Sequence, residues 1–108
     1  MNKDFIINKI INKQSLDVFK VGCDGKNFDI LKDLIKGKKL DMKHIEKVHG
    51  LSTMPANRRI NLLLGAGLVT RANRKRDIMP TPLAKRLIDL IDKTRKYIRK
   101  DIIKNLGN

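Results

Sequence analysis

The stretch from Asp41 to Pro82 most constrains what this chain can become, because it sets two short helices end to end with almost nothing between them. Asp41 can cap a first helix, with Ile45 and Val48 turned inward and Gly50 ending it. Leu51 follows that glycine, as the hydrophobic contact of a Schellman turn requires. Ser52 and Thr53 can then accept from the unpaired amides of a new first turn. Pro55 falls where a missing N–H costs little. Ala56, Ile60 and Leu63 recur at i, i+4 and i+7 as one apolar face, while Asn57, Arg58 and Asn61 lie off it. Gly65 and Gly67 can stop the helix, since glycine tolerates the left-handed cap conformation. The spacing therefore predicts helices over Asp41–His49 and Ser52–Leu64, joined by a very short glycine-containing turn.

A hairpin and a long helix follow. Leu68-Val69-Thr70-Arg71 reads as a short strand, Asn73-Arg74-Lys75-Arg76-Asp77 as a polar turn and Ile78-Met79 as the return strand. Pro80 cannot donate to a ladder and closes that strand at an edge. Thr81 can cap and Pro82 can open a last helix reaching about Asn105, with apolar residues repeating at spacings of three and four from Leu83 to Leu106. Upstream, the apolar stripe at Phe5, Ile6, Ile7, Ile10 and Ile11 predicts a helix over Lys3–Asn12. Ser15 can cap a second, short helix to Val21. Gly22-Cys23-Asp24-Gly25 is a turn. Asn27 can cap a helix to about Lys36, with Phe28, Leu31, Leu34 and Ile35 inward and Gly37 at its end.

Charge narrows the class of partner. The 108 residues carry 25 basic and 11 acidic side chains, a formal net charge of +14. So large an excess in one short chain points to a polyanion, nucleic acid before an anionic membrane surface. The excess is uneven. From Glu46 to Asp77 no acidic residue intervenes, and the window holds Lys47, Arg58, Arg59, Arg71, Arg74, Lys75 and Arg76. Arginine predominates there, and its planar fork suits phosphate and guanine edges.

The ordered set of parts resembles the winged helix-turn-helix regulators, in particular the arsenical-resistance-repressor and multiple-antibiotic-resistance-repressor types. Leu51-Ser52, Ala66-Gly67-Leu68-Val69 and Thr81-Pro82-Leu83-Ala84 carry the resemblance, and Ser15-Leu16-Asp17-Val18-Phe19 with Phe28-Asp29-Ile30-Leu31 extend it upstream. It implies a mainly α fold with a small β-hairpin: a single winged-helix domain over residues 1–108. Residues 15–80 would form the helical core, helix-turn-helix and wing, and 81–106 a C-terminal dimerisation helix. The expected function is sequence-specific binding of double-stranded DNA by a homodimer, most naturally in transcriptional regulation. Ser52, Thr53, Met54, Asn57, Arg58, Arg59 and Asn61 are the expected recognition-helix contacts; Arg71, Asn73, Arg74, Lys75 and Arg76 are those of the wing. Leu87, Leu90, Ile91, Tyr97, Ile98 and Ile102 are the expected dimer contacts, because so long a helix outruns its own core. An architectural protein coating DNA with little sequence preference, and a protein-interaction winged helix, are the two alternatives.

Other chemistries find little footing. Cys23 is the lone cysteine, so no disulfide can close within one chain. His44 and His49 stand five apart without a cysteine at ligand spacing, and neither a metal nor another cofactor is expected. Gly22-Cys23-Asp24-Gly25-Lys26 is two residues short of a phosphate loop. No serine, histidine and acid set is evident, so an enzyme is not expected. Phe5, Phe19, Phe28 and Tyr97 are too few for an RNA-stacking surface. The first residues lack the unbroken apolar core of a secretory signal, and no run reaches the roughly 20 apolar residues of a membrane span. The expected setting is cytoplasmic and nucleoid-associated.

Overall fold

The computed structural model describes residues 2–72 and 77–107. Among them are five helices and three short strands. Helix α1 spans Lys3–Gly22 and α2 Gly25–Gly37; strand β1 is Leu40–Asp41; α3 is Met42–His49 and α4 Thr53–Gly65; β2 is Val69–Arg71, β3 Asp77–Pro80, and α5 Pro82–Leu106. The three strands form one antiparallel sheet in the order β1-β3-β2. Arg71 pairs with Ile78 and Thr70 with Met79 in the hairpin, while Leu40 pairs with Ile78 on its other side. The expected hairpin has thus gained a third strand. Two residues are too few to leave a period in the sequence, so β1 is decided by the edge that β3 offers it.

The N-terminal expectations need two corrections. One continuous α1 replaces the helices expected over Lys3–Asn12 and from Ser15. No glycine or proline separates them, and Lys13 and Gln14 favour helix, so the i→i−4 ladder runs through Ser15. The cap of α2 is Asp24, whose Oδ1 accepts from the Asn27 backbone N–H at 3.2 Å. Asn27 is instead buried inside the first turn, and its Nδ2 donates to the Val21 carbonyl at 3.0 Å. The α2 face is also wider than expected. Ile30 is fully buried beside Leu31 and Leu34, whereas Phe28 and Ile35 pack only at its margin. Gly37 ends α2, but the left-handed residue is Lys38, with φ 69°. A side chain at Gly37 would press on Leu40, whose Cδ2 would lie 2.8 Å from the added Cβ.

The two-helix unit forms as its sequence requires. Asp41 caps α3 through the His44 N–H at 2.8 Å, Gly50 turns left-handed at φ 62°, and the Leu51 N–H returns to the Glu46 carbonyl at 2.9 Å. Val48 is 55% exposed, against expectation. In so short a helix the covered strip runs through Met42, Ile45 and His49, which rotates Val48 toward solvent. Ala56, Ile60 and Leu63 seat α4 on the core. Gly67, at φ 79°, then reverses the chain into β2.

The core gathers Leu31 and Leu34 of α2, Ile45 of α3, Ile60 and Leu63 of α4, Leu68, and Ile78 of β3. Leu87 of α5 packs over Gly22, where an added β-carbon would press on the Leu87 side chain and displace it. Both ends of the chain leave this core. The N-terminal half of α1 and the part of α5 beyond Asp92 are exposed throughout the described residues. The radius of gyration is accordingly 16.6 Å, against about 13 Å for a compact chain of this length.

The seating of α4 makes a sharp contrast between neighbours. Leu63→Ala should cost about 2–5 kcal/mol, because a fully buried leucine leaves a cavity. Leu62→Ala should stay within about 0.5 kcal/mol, because Leu62 is half exposed. Urea midpoints at one protein concentration decide this; equal losses would show that α4 is not seated by this face.

Candidate nucleic-acid interface

The capped and seated α4 turns one polar side outward. Ser52, Thr53, Met54, Asn57, Arg58 and Asn61 are all exposed on it or at its start, Met54 at 75%. Ser52 stands at the N-cap without the side-chain cap bond expected of it; its carbonyl accepts from the Ala56 N–H at 3.0 Å, the ordinary first bond of the helix. Thr53 donates its hydroxyl to Glu46 Oε1 at 2.7 Å, tying the start of α4 back to α3. Arg58 makes no hydrogen bond or ion pair among the described residues, and its guanidinium is open to an external acceptor.

Arg59 is placed differently from its neighbour. Its Nη1 donates to Asp24 Oδ1 at 2.7 Å and to Asn27 Oδ1 at 3.1 Å. It was expected among the DNA contacts, yet its guanidinium is turned to the α1–α2 junction. The Asn27 backbone N–H, and after it the Arg59 guanidinium, hold the Asp24 carboxyl below its ordinary value of 3.8. No sequence spacing links residues 24, 27 and 59, so this junction was invisible before the chain folded.

Further polar ties brace the pair of helices. Asp33 Oδ2 lies 3.2 Å from His44 Nε2 and 3.1 Å from His49 Nε2, so one carboxylate of α2 holds both rings of α3. Lys26 donates to the His49 carbonyl at 2.9 Å, a cation at a helix C-terminus. The two histidines thus meet through a third residue that their own spacing does not reveal. No group of three or more His, Cys, Asp or Glu among the described residues is arranged to hold a metal ion.

The wing is described only at its root. Arg71 is exposed at the end of β2, and the Ala72 N–H donates to the Asp77 carbonyl at 3.0 Å. Lys39 Nζ lies 3.7 Å from Asp77 Oδ2 across the sheet. The expected contacts Asn73, Arg74, Lys75 and Arg76 lie outside the described residues.

The expected dimer contacts divide. Leu87 belongs to the protomer's own core, and Ile91 packs at its edge. Leu87 therefore leaves the list of shared contacts, since its spacing on α5 puts it over Gly22. Leu90, Tyr97, Ile98 and Ile102 are exposed, Tyr97 at 74%. Ile103 and Leu106 on α5, and Phe5, Ile6, Ile7, Ile10 and Ile11 on α1, are exposed as well, though none was among the expected dimer contacts. The exposure of the far end of α5 was legible in its length; that of the α1 stripe was not. An apolar cleft of about 380 Å³ separates the two helices, lined by Ile11, Val18, Phe19, Leu83 and Leu90 among others.

No family model and no curated protein matches the chain. Solved structures do. A transcriptional regulator from Thermotoga maritima is 18% identical, with 97% of this chain and 80% of that one covered at a TM-score of 0.68. HlyU from Vibrio cholerae is 16% identical, over 87% of this chain and 97% of that one, at 0.64. A MarR family transcriptional regulator from Silicibacter pomeroyi is 15% identical, over 96% and 76%, at 0.63. The chain has the winged-helix fold. The likeness at these identities lies in the backbone path, so residue roles rest on this chain's own geometry.

The Asp24 junction has a defined acid signature. Its folded pKa is lowered, so its contribution is complete above the ordinary value of 3.8 and is lost as pH falls through the lowered one. Asp24→Asn keeps a capping oxygen but not the charge. The variant should be less stable than wild type at neutral pH, and the gap should close at the acid end of a urea-midpoint series. A gap that persists there would remove the charge-pairing account.

Proposed function

We propose that this winged helix is a transcriptional regulator that binds double-stranded DNA sequence-specifically as a homodimer. The observation that carries the reading is the outward side of α4. Asn57, Arg58 and Asn61 stand exposed on a helix whose opposite face is fixed in the core. Asparagine and arginine are the side chains that pair bidentately with adenine and guanine edges in the major groove. The basic window without an acid of its own supports it, as do two of the similar structures, which are transcriptional regulators. In this reading Ser52, Thr53 and Met54 lie at the groove, and Arg71, Asn73, Arg74, Lys75 and Arg76 approach the backbone or minor groove from the wing. The proposed partner, DNA, sets the protein in the cytoplasm with the nucleoid; no helix among the described residues is long and apolar enough to cross a membrane.

The homodimer rests on the surface left uncovered. The accessible area is 8331 Å², where a folded monomer of this mass exposes about 6,100 Å². The excess sits where Ile6, Ile10, Ile98 and Ile102 project from α1 and α5. Exposed apolar stripes on so extended a chain are normally closed by a partner, and a second copy supplies the same stripes in a two-fold arrangement. Light scattering should give near twice the 12.4 kDa chain mass. Ile10→Asp and Ile102→Asp should each shift the chain toward monomer and weaken duplex binding with it. A monomer at every concentration would remove the dimer.

A second reading, an architectural protein with little sequence preference, is favoured by the net charge of +14. Duplexes selected from a random pool separate the two. On the selected duplex Arg58→Ala or Asn61→Ala should cost about 1–3 kcal/mol, and less on random DNA. Arg74→Ala and Lys75→Ala should weaken both duplexes alike. Four equal losses on both DNAs would favour the architectural reading.

A further inference from the structure

The ion pair between α4 and the α1–α2 junction joins two parts with different tasks. Arg59 follows Arg58 in sequence, and the two share the rim of a groove of about 270 Å³ with Asp24, Asn27, Pro55 and Leu62. Arg58 is open. Arg59 is held by two oxygens, at 2.7 Å and 3.1 Å. The holder is itself fixed on both sides. Asp24 caps α2 at the Asn27 N–H, and Asn27 is 2% exposed and bonded to the Val21 carbonyl. The junction therefore presents a preformed carboxylate and amide to whatever α4 brings.

We propose that Asp24 is a positioning residue for the DNA-reading helix: through Arg59 it fixes the seat of α4 and withholds that guanidinium from the DNA backbone, so that non-specific affinity falls and sequence discrimination rises. This rests on the DNA-binding reading of α4. Non-specific affinity is set chiefly by the number of phosphates neutralised, and each one adds about 0.9 to the slope of log affinity against log salt. Arg59 stands beside an open arginine on the same helix, within the basic window, and would be a further phosphate contact if nothing held it. The pair is only partly shielded, with side-chain exposures of 31% for Arg59 and 47% for Asp24. Pairs so exposed hold weakly, so a fixed acceptor with a second bond from Asn27 is what keeps Arg59 in place. Asp24 also sets a negative charge beside the groove, where it repels an approaching phosphate.

The test compares wild type with Asp24→Asn and Asp24→Ser, both of which retain capping ability at that position. Affinity is measured against salt on a selected and a random duplex, with helix content and thermal midpoint recorded alongside. Both variants should bind random DNA more tightly, roughly threefold to tenfold at low salt, and the slope should steepen by about one unit for each Arg59 that reaches a phosphate. The selected-to-random ratio should fall. Asp24→Glu, which keeps the charge, should behave as wild type, and adding Arg59→Gln to Asp24→Asn should return the slope to the wild-type value. A role confined to stability would move none of these upward, because a loosened helix loses affinity on both duplexes. Equal losses, or an unchanged slope in both variants while wild type binds DNA, would overturn the inference and leave the DNA reading intact. A wild type that binds neither duplex would overturn both.

Discussion

Thr81 holds together the parts that must not move relative to one another. Its N–H donates to the Leu68 carbonyl at 3.1 Å, its hydroxyl to the Gly67 carbonyl at 2.7 Å, and the same hydroxyl accepts from the Ala84 N–H at 3.3 Å. One residue thereby fixes the reversal after α4, the exit of the hairpin and the first turn of α5. The carbonyls it satisfies lie in a turn that the core half-covers, where an unpaired acceptor is costly. Gly67 makes the arrangement possible, since its φ of 79° is one a β-carbon opposes, and the Leu68 N–H closes back on Leu63 at 3.0 Å. The outward face of α4, the root of the wing and the direction in which α5 leaves all follow from that knot.

Polar ties around the helix pair then decide which charges are available. The sequence window from Glu46 to Asp77 has no acid between its ends, yet its arginines do not share one fate. Asp24 reaches in from the α1–α2 junction and takes Arg59, while Glu46 takes the Thr53 hydroxyl. Arg58, one residue from Arg59, is left open because a helix turns successive side chains about a quarter turn apart. Asp33, holding His44 and His49, and Lys26, on the last carbonyl of α3, keep α3 registered on α2. These ties fix α3 and α4 from outside the helices themselves, the rigidity that the proposed reading of DNA by α4 requires.

The projecting halves of α1 and α5 follow a different rule. Their apolar stripes have helical spacing, but the small core ends near Ile91. The extents of 54, 49 and 21 Å describe a thin body with arms rather than a sphere. Such arms carry weak intrinsic stability, because most helix stability comes from packing a face. Their order is therefore tied to whatever covers them.

Local rules determined much of this protein directly. Asp41, Gly50, Gly67 and Thr81 announce the ends of helices, and Ala56, Ile60 and Leu63 announce the face of α4, because caps and periodicity act over a few residues. The same rules stopped short wherever the answer lay across the fold. They could not show that Ser15 continues a helix rather than starting one, that Leu40 and Asp41 add a strand, or that Val48 faces water. Nor could they show that Leu87 belongs over Gly22, or that Asp24 and Asn27 hold Arg59. In each case several local states lie within about a kcal/mol, and tertiary packing or a long-range polar partner chooses among them. The candidate interface divides in the same way. Its residue types and helical spacing were written in the chain, whereas which arginine is open and which is held was decided only when an acid 35 positions away came within 2.7 Å.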